Sequence, residues 1–338
     1  MAKKFLLLAL LASVFTACED RPTIKRSSGG ICEVLVATDN EQVWKGSIGD
    51  TIRQYFAQYL TGLPMPEESF YALHTLSGTL FRDDFHKPRH NILIVNIDTS
   101  VKTPYIDSKK NHWASPQQIV RFVCPTDTSF FRLFRQYYKS LFTLFRDTEK
   151  TRVVNMFSSN PSKSIIAKLK SNYGIDMLIP GGFNIAAETP DFIWLRQSIH
   201  RRKQDTETGF MIYIQPYTDT AAFAPDHIIR TRDSVAKKYI PGPSDGSYMA
   251  TSTEFIPPEF NRTRRFSTGF AVETRGLWKV VNDFMGGPFI SYTFVDTHRN
   301  RLITAEGYLY NPNAEQRKFV LQIEALLNTI KIVDESSQ

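Results

Sequence analysis

The sequence predicts an α+β protein made of two successive α/β sandwich-like halves on mostly antiparallel sheets. Three observations carry this expectation. Strand-length apolar runs alternate with helical patterns between residues 31 and 157. Asn160-Pro161-Ser162 then breaks the pattern. A series of strand-like runs joined by short turns follows over 174–309, before a closing amphipathic helix.

The first half, 31–158, opens with a strand at 32–38, CEVLVAT. Asp39-Asn40-Glu41 makes a polar turn into Trp44-Lys45-Gly46. Ser47 or Asp50 caps a helix over about 51–61, where Ile52, Tyr55, Phe56 and Tyr59 recur at helical spacing. Gly62 and Pro64 stop it, and a strand follows at about 69–76. Residues 91–97, NILIVNI, are almost continuously apolar, the mark of a central strand. A strand at 119–124 ends at Pro125. A long helix is predicted from about 128 to 157, with Phe130, Phe134, Tyr137, Leu141 and Phe145 as its apolar stripe. That stripe reads as core, not as a cofactor box.

The second half, 159–332, begins with a helix to about 172. Strand-like runs follow at 174–187, 191–199 and 209–215, then a helix at about 225–240. Further strands are expected near 248–256, 268–274, 288–296 and 301–309. An amphipathic helix over 314–330 carries Phe319, Leu321, Ile323, Leu326, Leu327 and Ile330, and 333–338 form a tail.

The N-terminus carries a targeting signal. Lys3 and Lys4 precede the apolar run Phe5-Leu6-Leu7-Leu8-Ala9-Leu10-Leu11-Ala12. That length suits a signal-peptide core, whereas a spanning helix needs about twenty apolar residues. The run meets Phe15-Thr16-Ala17-Cys18, a small residue before a cysteine, which resembles the bacterial lipobox with Phe15 where Leu is usual. Residues 1–17 are thus expected to be removed and Cys18 to carry lipid. Each buried CH2 of an acyl chain contributes about 0.8 kcal/mol, so several chains anchor stably. Residues 18–30 are polar and read as a flexible tether.

Composition bounds the rest. Hydrophobic content is 42% and aromatic content 13%, with 25 Phe and 14 Tyr, so the core should be rich in rings. The net charge of +7 falls to +5 without Lys3 and Lys4. Basic clusters at Arg201-Arg202-Lys203 and at Arg262, Arg264 and Arg265 form no stripe inside a nucleic-acid module, so nucleic acid is not an expected partner. Cys32 and Cys124 both look like buried strand positions. They are either two free thiols or, as antiparallel neighbours in an oxidising compartment, a disulfide.

Several chemical motifs fail on context. Gly242-Pro243-Ser244-Asp245-Gly246 spells a nucleophile elbow, but the elbow needs a strand before it and a helix after it, the reverse of the order here. His86 and His90 lie near Asp83 and Asp84, but Pro88 separates them, so no metal site is expected. No cofactor fingerprint occurs. Asp50-Thr51-Ile52, Asp219-Thr220-Ala221 and Asp233-Ser234-Val235 read as helix starts or as O-glycosylation sequons.

Residues 275–287 combine aromatic, charged and glycine residues in what reads as a loop, where binding groups often sit. Arg275, Trp278, Asp283, Gly286 and Gly287 are the candidate binding residues, joined by Trp44 and Trp113. An indole offers a broad apolar face and one donor, suited to a sugar ring or a partner's surface. Arg275 and Asp283 would supply charged hydrogen bonds at the rim.

Together with the lipobox, residues 36–53 (VATDNEQVWKGSIGDTIR), 113–120 (WASPQQIV) and 275–292 resemble an uncharacterised family of Bacteroidota envelope lipoproteins, domain of unknown function 4837. The order of elements in the second half resembles the Mog1/PsbP-like α/β sandwich. These resemblances imply a fold and an envelope location, at the outer membrane facing periplasm or surface. They bring no activity, cofactor or catalytic residue. The expected role is a lipid-anchored binding or assembly module for an envelope protein, glycan or small ligand. The alternative is an envelope enzyme such as a glycan hydrolase, which needs two carboxylates about 5–10 Å apart across a cleft.

Overall fold

The computed structural model describes residues 24–201, 204–312 and 314–333. Residues 1–17 and Cys18 lie outside the described residues.

The first half builds a five-stranded sheet from β1 (Glu33–Thr38), β2 (Tyr71–Leu76), β3 (Asn91–Ile97), β4 (Tyr105–Lys110) and β5 (Gln118–Cys124). Its order is β2-β1-β3-β5-β4. The β1–β2, β1–β3 and β3–β5 pairings are parallel, and only the edge strand β4 runs antiparallel. Parallel neighbours need crossovers. These are α1 (Glu41–Lys45) with α2 (Ser47–Phe56), and α3 (Ser77–Arg82). On one face Val34, Val36, Leu93, Val95, Val120 and Phe122 pack against α2 and against α4 (Asp127–Phe157). The other face, with Leu35, Ala37, Ile92, Ile94 and Ile119, has a thinner cover of Leu80 from α3 and Trp113.

Helix α4 starts at a capping box in which Thr126 and Ser129 satisfy each other's backbone. It buries Phe130, Phe134, Leu141 and Phe145. Tyr137, expected on that stripe, is 40% exposed and lies on the outward side.

The second half carries α5 (Lys163–Tyr173), β6 (Ile175–Asp176), β7 (Asn184–Thr189), β8 (Phe192–Arg201), β9 (Gln204–Pro216), a 3-10 turn (Thr220–Phe223) and α6 (Pro225–Tyr239). It continues with β10 (Tyr248–Ser252), β11 (Glu259–Phe266), β12 (Gly269–Val281), β13 (Gly286–Asp296), β14 (Arg301–Tyr310), α7 (Arg317–Leu327) and β15 (Lys331–Ile332). The large sheet runs β10-β12-β13-β14-β9-β8-β7, with β11 also on β12, and is antiparallel throughout. Helices α5 and α7 bury Leu169, Tyr173, Ile323 and Leu327 against one face. Helix α6 covers the other through Ala236, beside Phe192, Trp194 and Met211. The result is an α+β protein in which, among the described residues, parallel pairing between strands is confined to the first sheet.

The halves share more than a linker. Leu321 of α7 belongs to the core of the first half. Glu67 of the first half accepts from the backbone N–H groups of Gln316 and Arg317 at 2.7 and 2.9 Å, capping α7 where the side chain of its own N-cap residue, Gln316, makes no capping bond. Glu324 of α7 is buried among Arg146 and Lys150 of α4 and Arg275 of β12.

Residues 24–30, expected to be flexible tether, are instead laid onto the first half. The backbone N–H groups of Ser27 and Ser28 donate to Ser115 and Pro88, and Ser28 accepts from His90. The cause lies beneath them. Buried Glu149 accepts from the Cys32 N–H, His90 and Arg152, and Arg152 also donates to the Gly29 carbonyl.

Candidate functional site

The three tryptophans expected to share a site lie in three separate clusters. Trp44 of α1 stacks on His74 with ring centroids 4.8 Å apart, and the Arg53 guanidinium lies 4.4 Å from its ring. Trp113 packs with Phe81 on the thinly covered face of the first sheet. Trp278 is buried in the second half. Segment 275–287 is also not a loop. Residues 275–281 are strand β12, and Gly286 and Gly287 start β13, where Gly287 pairs with Trp278. A methyl group at Gly287 would sit 2.0 Å from the Leu309 carbonyl oxygen and 3.2 Å from Trp278 Nε1, so only glycine fits this crossing.

The expected rim charges also sit elsewhere. Arg275 is buried between the halves, donating to Glu273 and Glu324 at 2.7 Å each. Asp283 turns towards Ser244, whose hydroxyl it accepts at 2.5 Å, and that bond holds its carboxyl below the ordinary range. The serine of the elbow-like motif therefore faces a carboxylate without a histidine, in a turn.

Trp278 does form part of a cavity. It is about 310 Å³, lined by Trp194 and Arg196 of β8, Glu207 of β9, Met249 of β10, Trp278 and Val280 of β12, Tyr308 of β14, Met285 and the segment 240–243. Strands from both sides of the sheet thus converge on one hollow beside the end of α6. The volume lies at the lower end of the range for small-molecule sites.

Its walls are rings in fixed contact. Trp278 meets Tyr308 edge-on at 5.4 Å, and its Nε1 donates to the Leu309 carbonyl. Trp194 Nε1 donates to the Tyr308 hydroxyl at 2.9 Å, which in turn donates to Glu207 at 3.1 Å. Glu207 also pairs with Arg196 at 2.6 Å. Burial first, and Glu207 second, push the Tyr308 hydroxyl well above its ordinary value, so it remains a donor. The Tyr308 ring occupies space that exists because residue 209 is glycine. A methyl there would lie 2.2 Å from the ring. Half-buried Arg196 and the nearby prolines mark the mouth.

The hollow offers apolar ring surface, two methionine side chains and one charged pair at its edge. Its one lining carboxylate, Glu207, is already engaged by a guanidinium and a phenol. Acidic pairs elsewhere are bridged by arginine in the interior. Glu273 and Glu324 meet across Arg275, and Asp233 and Glu306 across Arg232.

The remaining motifs resolve individually. His86 bonds Asp83, while His90 is buried against Glu149 and the Ser28 carbonyl. No group of three or more metal-ligating side chains occurs among the described residues. Cys32 and Cys124 are free and buried. Their strands are parallel with β3 between them, and the cysteines sit at opposite ends. Leu35 is level with Ile92, and Ile92 with Ile119. The two cysteines are then about eight residues, roughly 26 Å, apart along the strands, which rules out the disulfide. Burial pushes the Cys32 thiol up to about 12. Thr51 donates within its own helix, Asp219 caps the 3-10 turn, and Asp233 accepts from Thr251.

The tryptophan and tyrosine walls of the hollow come from strand positions far apart in sequence. Trp278 was among the sequence candidates; for Trp194 and Tyr308 only the surplus of aromatic residues could have pointed to them. The grouping of Trp194, Tyr308 and Glu207 had no sequence signal.

A comparison with curated proteins finds no match. Among solved structures, a mutant form of the protein Mog1 aligns over 48% of this chain and 93% of its own, at 9% identity and a TM-score of 0.32. The Ran-binding protein Mog1p of Saccharomyces cerevisiae aligns over 48% and 92%, at 8% identity and a TM-score of 0.33. Residues 27–158 match the family model described as Domain of unknown function (DUF8532). Residues 162–329 match the model described as Domain of unknown function (DUF4837), so the second half is a domain of that family.

Proposed function

We propose that this chain is a lipoprotein of the bacterial envelope, of the Bacteroidota type, that holds a small ligand in the ring-lined hollow of its second half. The hollow carries the binding part of this reading. Its ring walls are fixed by hydrogen bonds made among themselves, a preorganised apolar surface rather than a set of free catalytic groups. The ligand class that fits is a small, largely apolar molecule, or a sugar presenting its apolar face, with a polar end reaching Arg196 and Glu207. Binding rather than hydrolysis is favoured because Glu207 has no second carboxylate beside it in the lining.

The anchor part rests on Lys3, Lys4, the apolar run and Ala17-Cys18. No helix among the described residues is long and apolar enough to cross a membrane, so attachment in this reading falls to lipid on Cys18.

Two experiments test the two parts separately. Cys18→Ala should move the protein out of the membrane fraction in its host; a variant still processed and membrane-bound removes the anchor. Anilinonaphthalene sulfonate, an apolar fluorescent probe, should bind the wild-type chain. Met285→Trp, which fills the mouth, should weaken that binding at least tenfold at an unchanged melting temperature. Equal probe binding by the variant rejects the hollow as a site.

A further inference from the structure

Two chain segments border the ring-lined hollow, and their tips are tied together. One is the strap 241–247, of which Pro241, Gly242 and Pro243 line the hollow. Its own bonds fix it. The Gly242 N–H donates to the Ser247 carbonyl at 2.9 Å, the Ser247 N–H donates to the Ser244 carbonyl at 3.0 Å, and Pro241 bridges Tyr248 at the neck. The other segment is the turn 282–285 between β12 and β13, of which Met285 lines the hollow. The Ser244 hydroxyl, donating to Asp283, ties the turn to the strap.

The turn carries a side chain that the empty protein does not use. Asn282 closes it at φ +64°, and Asp283 accepts from the Phe284 N–H at 2.6 Å. Phe284, next to Met285, is 107% exposed, more than any other large apolar side chain among the described residues. A lone exposed ring is ordinary on a protein surface. This one stands one residue from a wall of an apolar hollow, on a turn tied across to the opposite wall. Full burial of a phenylalanine ring is favoured by roughly tenfold to a hundredfold. An apolar ligand in the hollow would extend the surface of Trp278 and Met285 outward and give the ring something to cover.

We propose that the turn 282–285 is a lid, and that Phe284 folds onto a ligand once the hollow is filled. A ligand shifts a conformational equilibrium only through contacts it makes better in one state, and the Phe284 ring supplies that contact in the closed state. The Asp283–Ser244 bond keeps the turn at the mouth while it is open. This inference rests on the reading of the hollow as a binding site.

The test uses a chain starting at Ile24, which keeps every described element and removes lipidation, with anilinonaphthalene sulfonate as the probe. Stopped-flow fluorescence separates its association from its dissociation. Phe284→Ser should quicken dissociation about tenfold, the lower figure for a ring covered on one side, and change association less than threefold. Its melting temperature should stay that of the wild type, because the ring is in water when the hollow is empty. Phe284→Leu, still apolar, should remain within threefold in both rates. Phe255→Ser removes another ring, 86% exposed and outside the lining, and should change neither rate. Unchanged dissociation from Phe284→Ser overturns the lid, as does an equal effect of Phe255→Ser. If Met285→Trp weakens the probe and Phe284→Ser does not, the hollow stands and only the lid falls. If Met285→Trp has no effect, the hollow falls and the lid with it.

Discussion

Glu324→Gln removes one negative charge from the junction of the two halves while preserving shape. The carboxylate is 5% exposed and contacts Arg146, Arg275 and Lys150. Burial alone would raise its pKa; the three cations outweigh that and hold it well below the usual carboxylate range. After substitution Arg275 still has Glu273, but Arg146 loses its acid and stays mostly buried. Stranding one member of a buried pair costs about 3–5 kcal/mol. Glutamine's oxygen still accepts one bond, so the lower end, about 3 kcal/mol, is expected. That is more than a hundredfold in the folded-to-unfolded ratio. Urea unfolding at pH 7 of the wild type and the variant measures it as a lower midpoint at unchanged slope. The pH dependence follows from the direction of the shift. A depressed pKa contributes stability that is present above the unfolded value, about 4.3, and lost as pH falls through the folded one. The gap between the two proteins should therefore be constant from pH 7 to 5 and narrow only in acid. A loss under 1 kcal/mol at pH 7, or a gap that narrows between pH 7 and 5, refutes the reasoning.

Two other outcomes are expected. Gly287→Ala forces a methyl against the Leu309 carbonyl and should cost at least 3 kcal/mol, whereas Gly246→Ala, at φ +70° with nothing within 4 Å, should cost about 1–2. Similar melting temperatures for the two variants would show that the crossing relaxes freely. In a chain starting at Ile24, Cys32 and Cys124 should both be silent to a thiol reagent when folded and both react in denaturant without reductant; a chain that needs reductant first would contradict the separation of their strands.

The sequence revealed elements better than their partners. Residues 91–97 form β3 exactly as their apolar continuity requires, because a central strand is covered on both faces. Strands β4 and β11 were missed. They are edge strands reading YIDSKK and EFNRTRRF, whose polar side chains face solvent and leave no alternation to detect. The parallel pairing of the first sheet was missed for a related reason. The crossover before β3 is the single short helix α3, which the pattern of 77–82 barely marks. The candidate site was half legible. Trp278 does line the hollow, but its neighbours Trp194 and Tyr308 arrive through register across five strands, information that no local window contains. Arg275 was read as a rim charge because burial of a cation depends on its acid, and Glu324 lies 49 residues away.

The cap that Glu67 places on α7, and the seat that Leu321 finds in the other core, bear on how such proteins are inherited. Two family models divide this chain near residue 160, yet the boundary is not a seam along which it can be cut. A gene carrying the second domain alone must replace one helix cap, one apolar seat and two of the counter-ions of Glu324, Arg146 and Lys150, from some other source. Recombination that shuffles independent modules is therefore disfavoured here, and substitutions at Glu67, Leu321 and Glu324 should be tolerated only alongside changes in the opposite half.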